Sequence, residues 1–502
     1  MNTEKWVGVG AASAAIAAIG GFLYVKRNER NKQTVNLFEI ISNADEKVTK
    51  ELFQQYVDEI KNSGKNLDDE RVGEEQSTLL MLACRQGKPL FVPVLLQNGS
   101  SDKLRDSSDW QAIHLACLAG SDEIVEMLIA HDAANVTAKN QQNGWQPLHI
   151  AAAKNNLKQL KLFLSNGAPI NEQNLQGHTV LIIAACNGSE EMLDFILESK
   201  GDVVDLNVKT EKHRETALYL ACKNGHTSIA RKLLEFKGAS AVDVDSPSNT
   251  GATALHAAIY RGDLELVKLL VKHGARANAS KADGSNCLHI CAQSNRVQDI
   301  EIAEYLLSLG CELDAANRFG KTPLHDAAFF GNLKLVKLFV EHGATVDTID
   351  NDALTPLHTA CSVSGNTKDR TGEHLQVVQY LLAKGADANL SVDRNCTPLH
   401  VAACAGEKAV PIVQALLENG ADPTIESFQE WTPLHCAYNK EYGCPKSAEL
   451  MEEHLKKTNP NFLATFNRNK PKNVDARPSG TMSRLTPEQK QSALNWDVTL
   501  EG

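Results

Sequence analysis

The chain has 502 residues, 42% of them hydrophobic, and carries 51 Lys and Arg against 62 Asp and Glu, a formal net charge of −11. That balance excludes a fold whose whole surface neutralises nucleic-acid phosphates and leaves room only for a local basic patch. The length also exceeds the roughly 250–300 residues at which a single hydrophobic core stops growing, so the chain must divide into domains or repeat.

The first predicted element is Trp6 to Val25, WVGVGAASAAIAAIGGFLYV, a run of 20 uncharged residues. As a helix it spans about 30 Å, the thickness of a bilayer's hydrocarbon core. Trp6 and Tyr24 lie near its ends, and Lys26, Arg27, Arg30 and Lys32 follow. Residues 1–33 are therefore expected to be a membrane anchor and basic flank that keeps the rest of the chain in the cytosol. Three other readings compete. A cleaved secretory signal ending at Ala12-Ser13-Ala14 would send 12 cysteines without an evident pairing pattern into an oxidising space. A matrix presequence should carry arginines, and none precedes Arg27. The third is a buried soluble helix. The alanine- and glycine-rich segment with its basic cluster resembles signal anchors of the mitochondrial outer membrane, with the endoplasmic reticulum as runner-up. Gly10, Ala14 and Ala18, spaced by four, also suit weak self-association of such helices.

Residues 34–76 follow as a degenerate capping segment, in which Leu37 to Asp69 supplies two helical patterns. From 77 to 458 one pattern recurs, written most clearly as KTPLHDAAFFGNLKLVKLFVEHGATVD, Lys321 to Asp347. Its anchor position is occupied by Thr78, Gln111, Gln146, Thr179, Thr216, Thr253, Asn286, Thr322, Thr355, Thr397 and Thr432, at intervals of 33 to 42 residues. The chemistry of one copy predicts its structure. Thr322 caps a short helix whose first residue, Pro323, lacks only an N–H that would be unpaired there anyway. Leu324, Ala327 and Ala328 give it a narrow apolar face, Leu335, Val336, Leu338 and Phe339 give a second helix its own, and Gly343 stops that helix. No repeat can bury these faces alone, so neighbours must stack.

The pattern resembles the ankyrin repeat family over roughly 80% of the chain, with about eleven repeats after the degenerate one. The resemblance implies an all-α solenoid of helix-turn-helix units joined by hairpin connectors. It implies that His114, His149, His256, His289, His325, His358, His400 and His435, at the fourth motif position, tie neighbouring hairpins rather than catalyse or bind metal. Met81, Ile182 and Tyr219 replace that histidine, so their hairpins are expected to be tied less firmly. It further implies a binding surface on the concave face, built from hairpin tips and inner helices. Trp110, Trp145 and Trp431 precede three anchors and are candidate partner contacts there, the competing reading being that each covers the next hairpin. Phe329 and Phe330 read as packing residues. Asn389, in LLAKGADAN, is similar to hairpin asparagines that an asparaginyl hydroxylase modifies.

Cys84, Cys117, Cys222 and Cys361 hold an alanine slot six residues after the anchor and read as small buried apolar groups. No cysteine set has zinc spacing, and no phosphate loop, nucleophile elbow or paired acid and base is present in the sequence, so neither metal nor cofactor is expected. The repeat anchored at Thr355 carries an insertion, Ser362 to His374, suited to recognition or to mere tolerance of extra length. The repeats anchored at Thr179 and Thr216 lengthen instead toward their hairpins. Residues 459–502 read as a disordered tail, with a short helix near Thr486, Pro487 and Gln489 whose apolar side is Leu494 and Trp496. The expected function is a non-enzymatic, membrane-tethered scaffold for a cytosolic protein, binding no nucleic acid. The alternatives are a ubiquitin-ligase substrate receptor and a targeting subunit of an enzyme such as a phosphatase.

Overall fold

The computed structural model describes residues 41–42, 50–69, 71, 73–201, 203–238, 241–294, 296–362, 371–391, 395–427, 430–439 and 443–466. The anchor segment Trp6 to Val25, the stretch 363–370 of the insertion and the tail helix near 486–496 lie outside them. Among the described residues no helix is long and apolar enough to cross a membrane. The chain divides between Asn249 and Thr250 into two compact units.

Both units are stacks of paired helices. Eleven first helices begin one residue after the anchor, at Leu79, Ala112, Pro147, Val180 and Ala217 in the first unit and at Ala254, Cys287, Pro323, Pro356, Pro398 and Pro433 in the second. The cause is local: each anchor residue is extended, with ψ of 162° to 172° at the threonines from Thr179 onward, and turns the chain into the helix. Stacking then follows from side-chain size. The fifth residue after the anchor is small and buried in every repeat, as at Ala83, Ala116 and Ala151 in the first unit and Ala327, Ala360 and Ala402 in the second. Phe163 and Phe339 fill the space beside the second helices with no exposure, a burial worth roughly 1.5–3 kcal/mol for each such side chain. Among the described residues the extended backbone forms only isolated bridges, such as Ser280 with Asn286.

The hairpins share one demanding register position, two residues before the anchor. Gly144, Gly177, Gly251, Gly284 and Gly320 occupy it with positive φ, and so do Gln76, Asp109, Arg214, Ala353, Asn395 and Glu430. Glycine is required where the next hairpin presses closest: a Cβ at Gly177 would lie 2.6 Å from the Glu211 amide nitrogen.

At the N-terminal end, Lys50–Asn62 buries Phe53 and Val57, and the Phe53 ring packs 4.4 Å from Phe91. At the C-terminal end the structure continues past residue 459, where the tail was expected to begin. Pro460–Thr465 forms a further helix against Pro445–Thr458, and Phe466 lays its ring 4.4 Å from His435 and 6.3 Å from Tyr438. Among the described residues no further hairpin covers His435, and the apolar Phe466, backed by Phe462, supplies a cover.

Candidate functional site: the hairpin and first-helix face

The surface begins with the motif histidines, which fix the hairpins it is made of. In the second unit, His325 Nδ1 accepts the Thr322 N–H at 3.1 Å while Nε2 lies 3.0 Å from the Leu354 carbonyl in the following repeat. A nitrogen accepting a backbone N–H leaves the other to carry the proton, so the ring is the neutral Nε2–H tautomer and donates to Leu354. The same pair of bonds recurs at His114 with Ala138 and His149 with Glu172 in the first unit, and at His289 with Lys321, His358 with Cys396 and His400 with Trp431 in the second. Burial pushes His114, His149, His325, His358 and His400 down to about 4, which keeps them uncharged near neutrality. Tyr219, which replaces the histidine, hydrogen-bonds Ser248 in the next hairpin and so supplies a tie of its own.

Successive hairpin tips are also joined backbone to backbone. In the first unit Ser107, Leu175, Glu211 and Asn249 donate to the carbonyls of Glu75, Asn143, Gln176 and His213, and in the second Ala282, Arg318 and Asn351 donate to Thr250, Asp283 and Phe319. Asparagine side chains add a second line of ties. Asn171, Asn207, Asn278 and Asn389 donate to carbonyls of Val203, Ala241, Gly310 and Gly420 and accept the amides of Asp205, Asp243, Glu312 and Asp422. Asn389 thus has both ends of its amide engaged, at 2.8 and 2.7 Å.

On the hairpin face of the first unit Trp110 and Trp145 are half-buried, their rings 5.3 and 6.1 Å from His114 and His149. Each keeps an exposed part, as a contact residue must. Trp431 does not: it is 5% exposed and belongs to the core of the last repeats. Phe329 and Phe330, read from sequence as packing, are both half-buried at the end of Pro323–Phe329, with ring centroids 5.0 Å apart. His374, the last residue of the insertion, is buried at 1% and bonds the Phe329 carbonyl through Nε2 at 3.0 Å, so that end of the insertion is pinned to the scaffold. The cysteines are free thiols, all buried except the half-buried Cys404. Burial pushes Cys311 up to about 11, a state unsuited to nucleophilic attack. Among the described residues no group of three His, Cys, Asp or Glu is placed to hold a metal ion.

The family description "Ankyrin repeats (3 copies)" matches residues 37–140, 131–210, 148–245, 200–281, 237–317, 288–390 and 367–461, which together cover well over half of the chain. The chain belongs to the ankyrin repeat family. The match begins at residue 37, within the degenerate segment before the first full ankyrin motif. Among curated proteins, the chain is 28% identical over 393 residues to the NAD-dependent deacetylase sir2B of Dictyostelium discoideum, covering 70% of this chain and 48% of that protein. It is 26% identical over 375 residues to the transient receptor potential cation channel subfamily A member 1 of Homo sapiens, covering 60% and 33%. It is 24% identical over 307 residues to the E3 ubiquitin-protein ligase KEG of Arabidopsis thaliana, covering 59% and 18%. The chain spans less than half the length of each of these three relatives, and the ankyrin array is what the family match covers.

Proposed function

We propose that this ankyrin chain is a non-enzymatic scaffold, tethered by Trp6 to Val25 to a membrane with its repeats in the cytosol, and that it holds a protein partner on the hairpin and first-helix face. Ankyrin repeats serve protein–protein interaction, and the observation that carries the reading is the ladder of tied hairpins presenting half-exposed Trp110 and Trp145 in consecutive repeats. Aromatic rings on a surface that is already ordered bind at little entropic cost. The tether adds local concentration rather than contact energy. The mitochondrial outer membrane is the favoured location over the endoplasmic reticulum, on the composition of the anchor alone. Asn389 is proposed as a hydroxylation site. Peptide mass spectrometry on protein from oxygenated cells should show one added oxygen there, and unmodified Asn389 at full occupancy would remove the proposal.

Imaging with protease protection of the full chain, tagged at its C terminus, tests the topology beside a version lacking Met1 to Lys32. An outer-membrane pattern with an accessible tag, lost on truncation, is the expected result; a protected or secreted tag overturns it. A ubiquitin-ligase role is the second reading, favoured by the likeness to a named ubiquitin ligase. Co-purification of ligase core subunits with the full chain would select it.

A further inference from the structure

We propose that Arg318, Phe319, Lys321, Phe329 and Phe330 of the second unit form a docking site for a linear peptide with an apolar anchor beside acidic residues. The inference rests on the reading that the hairpin face receives the partner, and it assigns that partner's chemistry. The first unit gives the contrast. Three of its cations near the hairpins meet carboxylates: Arg85 with Asp106 at 3.0 Å, Arg105 with Asp109 at 2.5 Å, and Lys223 with Glu215 at 3.0 Å. Arg318 and Lys321 instead lie over rings, with the Arg318 guanidinium 4.6 Å from the Phe319 centroid and the Lys321 Nζ 5.9 Å from the Phe329 centroid. Among the described residues neither forms an ion pair, and the carboxylates that act on Lys321, Asp326 and Asp350, are themselves buried and leave the outer side of the cation to a ligand.

Two cations held over rings and outside any close ion pair, beside half-exposed rings, attract a carboxylate and an apolar side chain together, and the rings orient the cations for that meeting. The presentation is fixed in advance. Asn317 Oδ1 accepts the amides of Phe319 and Lys321 at 2.9 and 3.1 Å. Arg318 donates its amide to Asp283, Asn351 donates to the Phe319 carbonyl, and Asn351 Nδ2 donates to the Arg318 carbonyl. A peptide therefore meets a turn that loses little freedom on binding. In a chain of net charge −11, such a local reversal also steers acidic ligands to one place.

The test is selection of phage-displayed random peptides on the full chain, followed by fluorescence anisotropy of the recovered peptides with four variants. Recovered peptides should carry Asp or Glu beside an aromatic or large aliphatic residue. Their affinity should fall at least about tenfold on Phe330→Ala and on Arg318→Glu with Lys321→Glu, and lysine-for-glutamate peptides should regain binding to the charge-reversed protein. Because Arg318 and Phe330 are not fully buried, unchanged circular dichroism of the variants separates lost docking from lost folding. Peptides without acidic residues, or indifferent to these substitutions, overturn the site. If their binding falls instead on Trp110→Ala or Trp145→Ala, the hairpin-face reading stands while this site is lost. If no peptide is recovered, both readings fall. Preferential binding and competition by a single-stranded oligothymidylate would assign the rings and cations to nucleic acid and overturn the peptide.

Discussion

His400 joins two repeats through one ring: Nδ1 accepts the N–H of Thr397 at 3.1 Å, and Nε2 donates to the carbonyl of Trp431 at 2.9 Å. Both bonds require the neutral imidazole, because a protonated Nδ1 cannot accept. Repeated along each unit, this geometry makes protonation a threat to all the histidine-tied hairpins at once.

Acid should therefore unfold the array. His114, His149, His325, His358 and His400 are held near pKa 4 in the fold by burial, against about 6.5 in the unfolded chain. A depressed base contributes no penalty above the unfolded value; below it the unfolded chain takes up protons that the fold refuses. Stability is thus full above about pH 6.5 and falls continuously down to about pH 4. Circular dichroism against pH should show loss of helix within that window, and proton uptake on unfolding at pH 5 should exceed one per molecule.

A single histidine can be removed where every neighbour is known. His325→Ala strips the Thr322 N–H and the Leu354 carbonyl of their partners and leaves a void where the fully buried ring stood. The expected cost is about 2–4 kcal/mol. Hydrogen exchange should rise in the hairpin Asp350 to Leu354 before it rises elsewhere, since the loss is local to that tie.

The left-handed register position allows a test of opposite signs. Ala353 holds φ of 59°, a strained conformation for a residue with a Cβ, so Ala353→Gly should stabilise by about 0.5–1 kcal/mol. Gly177→Ala should destabilise by about 2 kcal/mol or more, because its Cβ would meet backbone atoms of Lys209, Thr210 and Glu211 at 2.6 to 3.0 Å. Thermal melts of the two variants should move in opposite directions.

The C-terminal cover predicts a further effect. Phe466→Ala removes the ring against His435 and Tyr438 and should cost about 1–3 kcal/mol, confined to the last repeat. Limited proteolysis should then cut within Pro445–Thr458 while leaving earlier repeats intact.

The array was legible in the sequence because its determinants are local. Thr322, Pro323 and His325 sit within one turn of each other and start their helix by local capping, and an extended anchor residue does the same where proline or histidine is replaced, as at Thr179 with Val180 and Ile182, so all eleven first helices begin beside the expected anchor. The left-handed position two residues earlier was legible only in part, since five glycines mark it while Gln76, Asp109, Arg214, Ala353, Asn395 and Glu430 adopt it without that sign. Contacts between residues far apart in the chain were decided by tertiary structure alone. Trp431 and Trp110 hold the same motif position, yet one is buried and the other half-exposed, because exposure depends on which side chains the neighbouring repeats bring against it. Tyr219 could be seen to lack an imidazole, but its bond to Ser248 is made across 29 residues of chain. Pairing Arg318 and Lys321 with rings rather than carboxylates is likewise a property of packing, since sequence sets the charges and only the fold sets what lies within their reach.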